Sequence, residues 1–155
     1  MKKLGVALLS VLLLSAFAGR AFAGQYDHII AAADVEKITG LTGVKQVPRE
    51  PLNKFKNGDL NFVSGNNEPI LMIQFRPLFV FDAMKADGGY FKAPLQDVGE
   101  EAFTSPAFDP QFSVNFRKGN YIAVVTTHID PKDKKKTVLK MDQLIALAKL
   151  IAQRM

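Results

Sequence analysis

Cysteine is absent from all 155 residues. Its absence excludes disulfides, thiolate metal sites, c-type haem attachment and a cysteine nucleophile. It also removes the residue that carries the lipid of a lipoprotein. Histidine is nearly absent, with only His28 and His128 present. A metal site draws three or four ligands from His, Asp, Glu or Cys, usually with at least one close pair. His28 has only Asp27 beside it, His128 has Asp130 and Asp133 downstream, and neither arrangement repeats a ligand spacing. No metal or cofactor is expected, and both histidines read as surface residues. Ser64, Ser105 and Ser113, the serines beyond residue 23, lie outside any G-x-S-x-G or other nucleophile frame. Gly88-Gly89 follows an expected helix, whereas phosphate cradles precede one. The acid cluster Asp97, Glu100 and Glu101 is too sparse for a calcium loop and reads as a solvated turn.

Excess charge is scarce once the first 23 residues are set aside. The chain carries 20 Lys and Arg against 15 Asp and Glu. Lys2, Lys3 and Arg20 fall in that leading stretch, which holds no acid, so the remainder keeps 17 basic against 15 acidic side chains, a net +2. That balance gives no case for nucleic acid or an anionic membrane as partner. Beyond Phe17 no apolar run approaches the roughly 20 residues of a spanning helix, so no membrane span is expected in the mature chain.

What is present begins with an export signal. Lys2 and Lys3 precede an apolar run over residues 4–17, and the stretch closes on Ala21-Phe22-Ala23. This is the layout of a cleavable secretory signal peptide, with the cut expected between Ala23 and Gly24 and a periplasmic or secreted product. Residues 24–155 then have the length of a single domain. A chain of that size buries roughly two-thirds of its unfolded surface, enough for a core without covalent staples.

Ile29, Ile30, Ala33, Val35 and Ile38 recur at helical spacing, and Gly40 suits the left-handed position past a helix end. Residues 43–49 alternate weakly, with Pro48 marking an edge. Asn57-Gly58 marks a turn, and residues 59–64 and 69–76 read as strands joined through Gly65-Asn66-Asn67-Glu68. Pro77 stops the second of these. Leu78, Phe81 and Met84 then suggest a short helix over 78–86. Residues 93–110 hold three prolines and one good strand candidate, 101–105. The clearest local signal is a hairpin over 111–128. Phe112, Val114 and Phe116 alternate with Ser113, Asn115 and Arg117, and Lys118-Gly119 supplies the turn. The expected register sets Phe116 opposite Tyr121, Val114 opposite Ala123 and Phe112 opposite Val125, and it turns Ser113 and His128 outward. A last helix over 141–153 carries a broad apolar stripe. The fold class is α+β: an antiparallel sheet of about six strands with two to three helices packed on one face. The repeated order suggests two similar halves near residues 28–76 and 78–129.

Candidate contacts come from the aromatic and basic segments. Phe79, Val80 and Phe81 are adjacent on one helix and cannot all face one way, so Phe79 or Phe81, with nearby Phe91, is a candidate to meet a ligand or partner. Core packing is the ordinary role of such side chains. Lys134 and Lys135 lie in the basic loop 132–136, a candidate contact for an acidic partner, although charged loops are usually just hydrated.

Three segments carry a resemblance: residues 33–40 (ADVEKITG), 98–103 (VGEEAF) and 116–121 (FRKGNY). In that order they resemble small exported bacterial α+β domains of unknown function, related in layout to extracellular sensor domains of actinobacterial kinases. The resemblance implies an α+β domain with a binding cleft and brings no catalytic residues. The chain departs from the lipoprotein members by lacking their lipid-bearing cysteine.

Three functional readings follow. The first is an exported, non-catalytic module of the bacterial cell envelope that binds a small ligand or an envelope protein. The second is a structural accessory subunit of an envelope complex. The third is a small secreted hydrolase using His28 or His128. The geometry of any pocket discriminates among them.

Overall fold

The computed structural model describes residues 26–50, 52, 53, 56, 58–107 and 109–155. The expected signal peptide with its cleavage residues Ala21, Ala23 and Gly24 lies outside the described residues, as do Asn57 and Phe108. The element order is α1 (Ala32–Thr39), β1 (Lys45–Val47), β2 (Leu60–Val63), β3 (Pro69–Pro77), α2 (Phe79–Ala86), β4 (Ala93–Leu95), β5 (Glu101–Pro106), β6 (Phe112–Lys118), β7 (Tyr121–Thr127) and α3 (Met141–Arg154).

Local chemistry sets the boundaries. Asp34 accepts the backbone N–H of Ala31 at 2.9 Å and so satisfies a donor at the start of α1. Gly40 ends that helix at φ 74°, its N–H donating to the Glu36 carbonyl at 2.8 Å. Gln143 Oε1 accepts the Lys140 N–H at 2.9 Å at the start of α3. Gly99 is required for both reasons that favour glycine. Its φ is +60°, and an added Cβ would overlap the Arg117 carbonyl oxygen.

The strands form one antiparallel sheet in the order β1-β2-β3-β7-β6-β5-β4. The class is α+β as expected, with seven strands rather than six. The added strand is β4, where Pro94 and the shortness of the segment hide any alternation. Each half of the chain runs as a meander from one rim of the sheet to its centre, the second half with one strand more.

The β6–β7 hairpin keeps its expected apolar face but not its expected register. The turn is Gly119-Asn120, with Gly119 at φ 56°, and Lys118 pairs with Tyr121. Phe116 therefore faces Ala123 and Val114 faces Val125. A slip of two residues leaves each side chain on its own side of the sheet, which is why the face survives the error.

Strand alternation divides the interior in two. Leu71, Ile73 and Phe75 of β3, Val114 and Phe116 of β6, and Ala123 and Val125 of β7 face one way, onto Val35 of α1 and Leu144, Leu147 and Ile151 of α3. Tyr26 stacks on Phe75 at that side, with ring centroids 3.9 Å apart. The other face carries a smaller cluster in which Phe81 of α2 meets Phe103 and Ile122. Two helices thus share one face and α2 covers part of the other. Among the described residues no helix is long and apolar enough to cross a membrane.

Candidate functional site

The α2 helix is only eight residues long and cannot roof the whole of its face. It sits over the end marked by Phe103 and Ile122, with Phe81 and Phe91 ring centroids 5.1 and 5.4 Å from that of Phe103. Between α2 and the opposite end of the strands lies a cavity of about 840 Å³. Val80 and Met84 of α2 form one wall, and Tyr90 stands at the rim.

Strand pairing builds the floor. Ser105 lies opposite Ser113 and Ser113 opposite Thr126, which aligns three hydroxyls across β5, β6 and β7. Ser113 and Thr126 share a hydrogen bond of 2.8 Å. In the adjacent row Asn115 lies opposite Phe103 on one side and Val124 on the other. Asn115 is fully buried, and its Nδ2 donates to Ser105 Oγ at 2.8 Å. Its Oδ1 is buried and accepts no hydrogen bond from the protein. An acceptor in that condition costs about 1–3 kcal/mol relative to a satisfied one, and Asn115 belongs to the lining of the cavity.

His128 continues the same face beyond Thr126. It is 3% exposed, its N–H donates to the Ile70 carbonyl at 3.1 Å, and its own carbonyl accepts from Val138 at 2.8 Å. The Gln111 amide nitrogen lies 3.3 Å from Nδ1 of the ring. Burial pushes the imidazole down to about 4, and the side chain is uncharged near neutral pH. Among the described residues the lining holds two charged side chains, Arg76 and Asp87, each with a partner within the protein. Arg76 Nη1 lies 3.4 Å from Asp59 and donates to the Phe75 carbonyl at 2.8 Å, and Asp87 accepts the Gly89 N–H at 2.9 Å.

The residues singled out from sequence fall in different places. Phe79 is 74% exposed on α2 and does not line the cavity. Phe81 is fully buried in the cluster beneath the helix, so its role is packing, and Phe91 is partly buried against the same cluster. Lys134 and Lys135 are exposed in the loop after β7, which is shaped by Asp130 and Asp133 accepting the N–H groups of Lys132 and Lys135. None of these lysines reaches the cavity. His28 is exposed, as expected. His128 and Ser113 are on the expected face but are buried, because the remaining walls and α2 close over a surface that alternation alone assigns to water.

The floor residues Ser105, Ser113, Asn115 and Thr126 were not legible as a site. The available signal is that the outward-phase residues Ser113, Asn115, Thr126 and His128 are small or uncharged rather than Lys or Glu, while an apolar helix over 78–86 needs a surface to cover. Among the described residues no group of three or more His, Asp and Glu lies close enough to hold a metal ion. The fold and site together define an α+β domain with a ligand-sized cavity between sheet and helix. Comparison with known proteins finds no matching protein family, no matching curated protein and no matching solved structure.

Proposed function

We propose that this chain is an exported, non-catalytic binding module of the bacterial cell envelope that takes a small ligand into the cavity under α2. One observation carries the reading: a cavity of about 840 Å³ with apolar walls ends on a buried polar floor where Asn115 Oδ1 lacks a partner. Ligand sites commonly fall between about 300 and 1,000 Å³ and combine apolar walls with a few placed polar groups. The leader pattern over residues 1–23 supports export, and the three-segment resemblance supports an envelope setting. The non-catalytic half of the proposal draws on His128. A general base works best with a pKa near the operating pH, whereas His128 sits at about 4 with an amide rather than a carboxylate at Nδ1.

The test uses N-phenyl-1-naphthylamine, a neutral dye that fluoresces in apolar cavities. Titration of residues 24–155 is expected to saturate with one site, and Val124→Trp, which fills the cavity from its floor, is expected to abolish the signal. Circular dichroism and melting confirm that the variant folds. Dye binding that persists unchanged in folded Val124→Trp would place the ligand elsewhere and sink the reading.

A further inference from the structure

The polar floor specifies more than the presence of a ligand. Asn115 and Ser105 form a closed pair at 2.8 Å, and both are buried. With Nδ2 donating one N–H to Ser105 Oγ, the pair keeps Asn115 Oδ1 as an unused acceptor and the second amide N–H and the Ser105 O–H as unused donors. Turning the amide over reverses the roles, with Ser105 donating to Oδ1 and leaving both amide N–H groups and a serine lone pair. In both orientations the pair, which belongs to the cavity lining, is left with both donor and acceptor capacity. A ligand group that satisfies both must itself offer an acceptor and a donor. An amide does so; a hydroxyl offers both functions on a single atom, and a carboxylate or an ammonium offers only one of them.

The surroundings select against charge. Among the described residues, neither charged side chain of the lining is hydrogen-bonded to Asn115 or Ser105: Arg76 faces Asp59 and the Phe75 carbonyl, and the exposed Asp87 accepts the Gly89 N–H. Burying an ion without a partner costs far more than burying a hydrogen-bonded amide. The walls are soft and apolar. Met72 and Met84 carry flexible thioethers that adapt to the shape of what lies between them, beside Val80 and Val124.

We propose that the ligand is an uncharged molecule with an amide-type head, a carboxamide, urea or imide, that pairs with Asn115 and Ser105 while its apolar body lies between Met72, Met84, Val80 and Val124. This rests on the reading of the cavity as a binding site.

Three probes of matched length test it: hexanamide, hexanoate and hexylammonium, each titrated at pH 7 into residues 24–155 with ¹³C-labelled methionine methyl groups. The Met72 and Met84 resonances report occupancy. Hexanamide is expected to bind at least fivefold tighter than either ion. In Asn115→Leu that preference is expected to fall below twofold, with the methyl shifts retained. Asn115→Val, whose β-branched side chain suits a strand, gives the same readout if the leucine variant does not fold. A gap under fivefold in the parent protein, or a preference that survives in the folded variant, overturns the amide assignment while leaving the cavity as a binding site. If no probe moves either methyl resonance, the binding-site reading fails along with it.

Discussion

A single buried imidazole makes this protein sensitive to mild acid. His128 takes its proton near 4 in the native state and near 6.5 when unfolded. Above about pH 6.5 both states are neutral and the residue contributes nothing to the pH dependence. As pH falls from 6.5 towards 4 the unfolded chain binds a proton that the native chain refuses, so stability drops, by about 3 kcal/mol in total. Asp34 and Glu101 act lower on the scale. Their carboxyls are held below the usual range, chiefly by hydrogen bonds from Arg154 and Lys85, and their stabilisation is lost as pH falls through those depressed values. The window between 6.5 and 4 therefore belongs to His128. Urea melts at pH 7 and pH 4.5 are expected to show His128→Gln losing roughly 2 kcal/mol less than the parent protein over that interval. Equal losses would mean that the ring is reached by solvent after all. The sequence places His128 on the correct side of β7's extension but not at the correct depth. Alternation gives the direction of a side chain and says nothing of what is stacked above it. Ser113, turned outward by the same alternation, is buried for the same reason.

Elements were more legible than residues, because a helix or strand averages many weak preferences. The α3 stripe, the Gly40 stop on α1 and the strand pair 59–64 and 69–76 all emerge from spacing and turn chemistry. Failures concentrate where an element is very short, as in β4, or where one residue decides a turn. At the β6–β7 turn the two-residue loop is Gly119-Asn120, one step later than Lys118-Gly119. The Glu100 carboxylate caps that choice by accepting the Gly119 N–H at 3.0 Å, a contact between distant segments that local sequence does not contain. Phe116 tests the face that survived the register error. It is fully buried and faces Ala123, too small to fill the space left by a truncated neighbour. Phe116→Ala is expected to cost about 3–5 kcal/mol through lost burial and the cavity left behind. A denaturation midpoint shifted by less than about 1 kcal/mol in equivalent energy, the size of a benign substitution, would place Phe116 outside the core.

The first and last helices of the described residues are tied together. Arg154, in the last turn of α3, donates to both carboxylate oxygens of Asp34 on α1 at 2.6 and 2.9 Å and to the Ile29 carbonyl at 3.1 Å. Gln143 of α3 reaches the Thr39 carbonyl at 3.0 Å. A two-pronged guanidinium contact holds orientation as well as charge. Both partners retain some solvent access, so Arg154→Ala is expected to lower the urea midpoint only slightly. Arg154→Lys, which keeps the charge but not the fork, is expected to recover less than half of that in urea melts; full recovery would show that charge alone matters. Such a link between helices 120 positions apart is invisible in sequence. So is the arrangement that leaves α2 on the face opposite α1 and α3, since periodicity identifies an apolar stripe without naming the surface it meets. The strand order has a consequence for the way the chain assembles. β3 and β7 are neighbours at the centre of the sheet, yet Leu71 pairs with Thr127 across more than a third of the chain. The connections within the β1-β2-β3 and β4-β5-β6-β7 meanders are at most 12 residues long, whereas the strand pairs of the seam between them lie at least 44 positions apart and are the slowest of the sheet to close. Until that seam zips, each half presents an unpaired strand from what becomes the most protected part of the fold, and the interval before closure is when the chain is most open to pairing with a neighbour instead of itself.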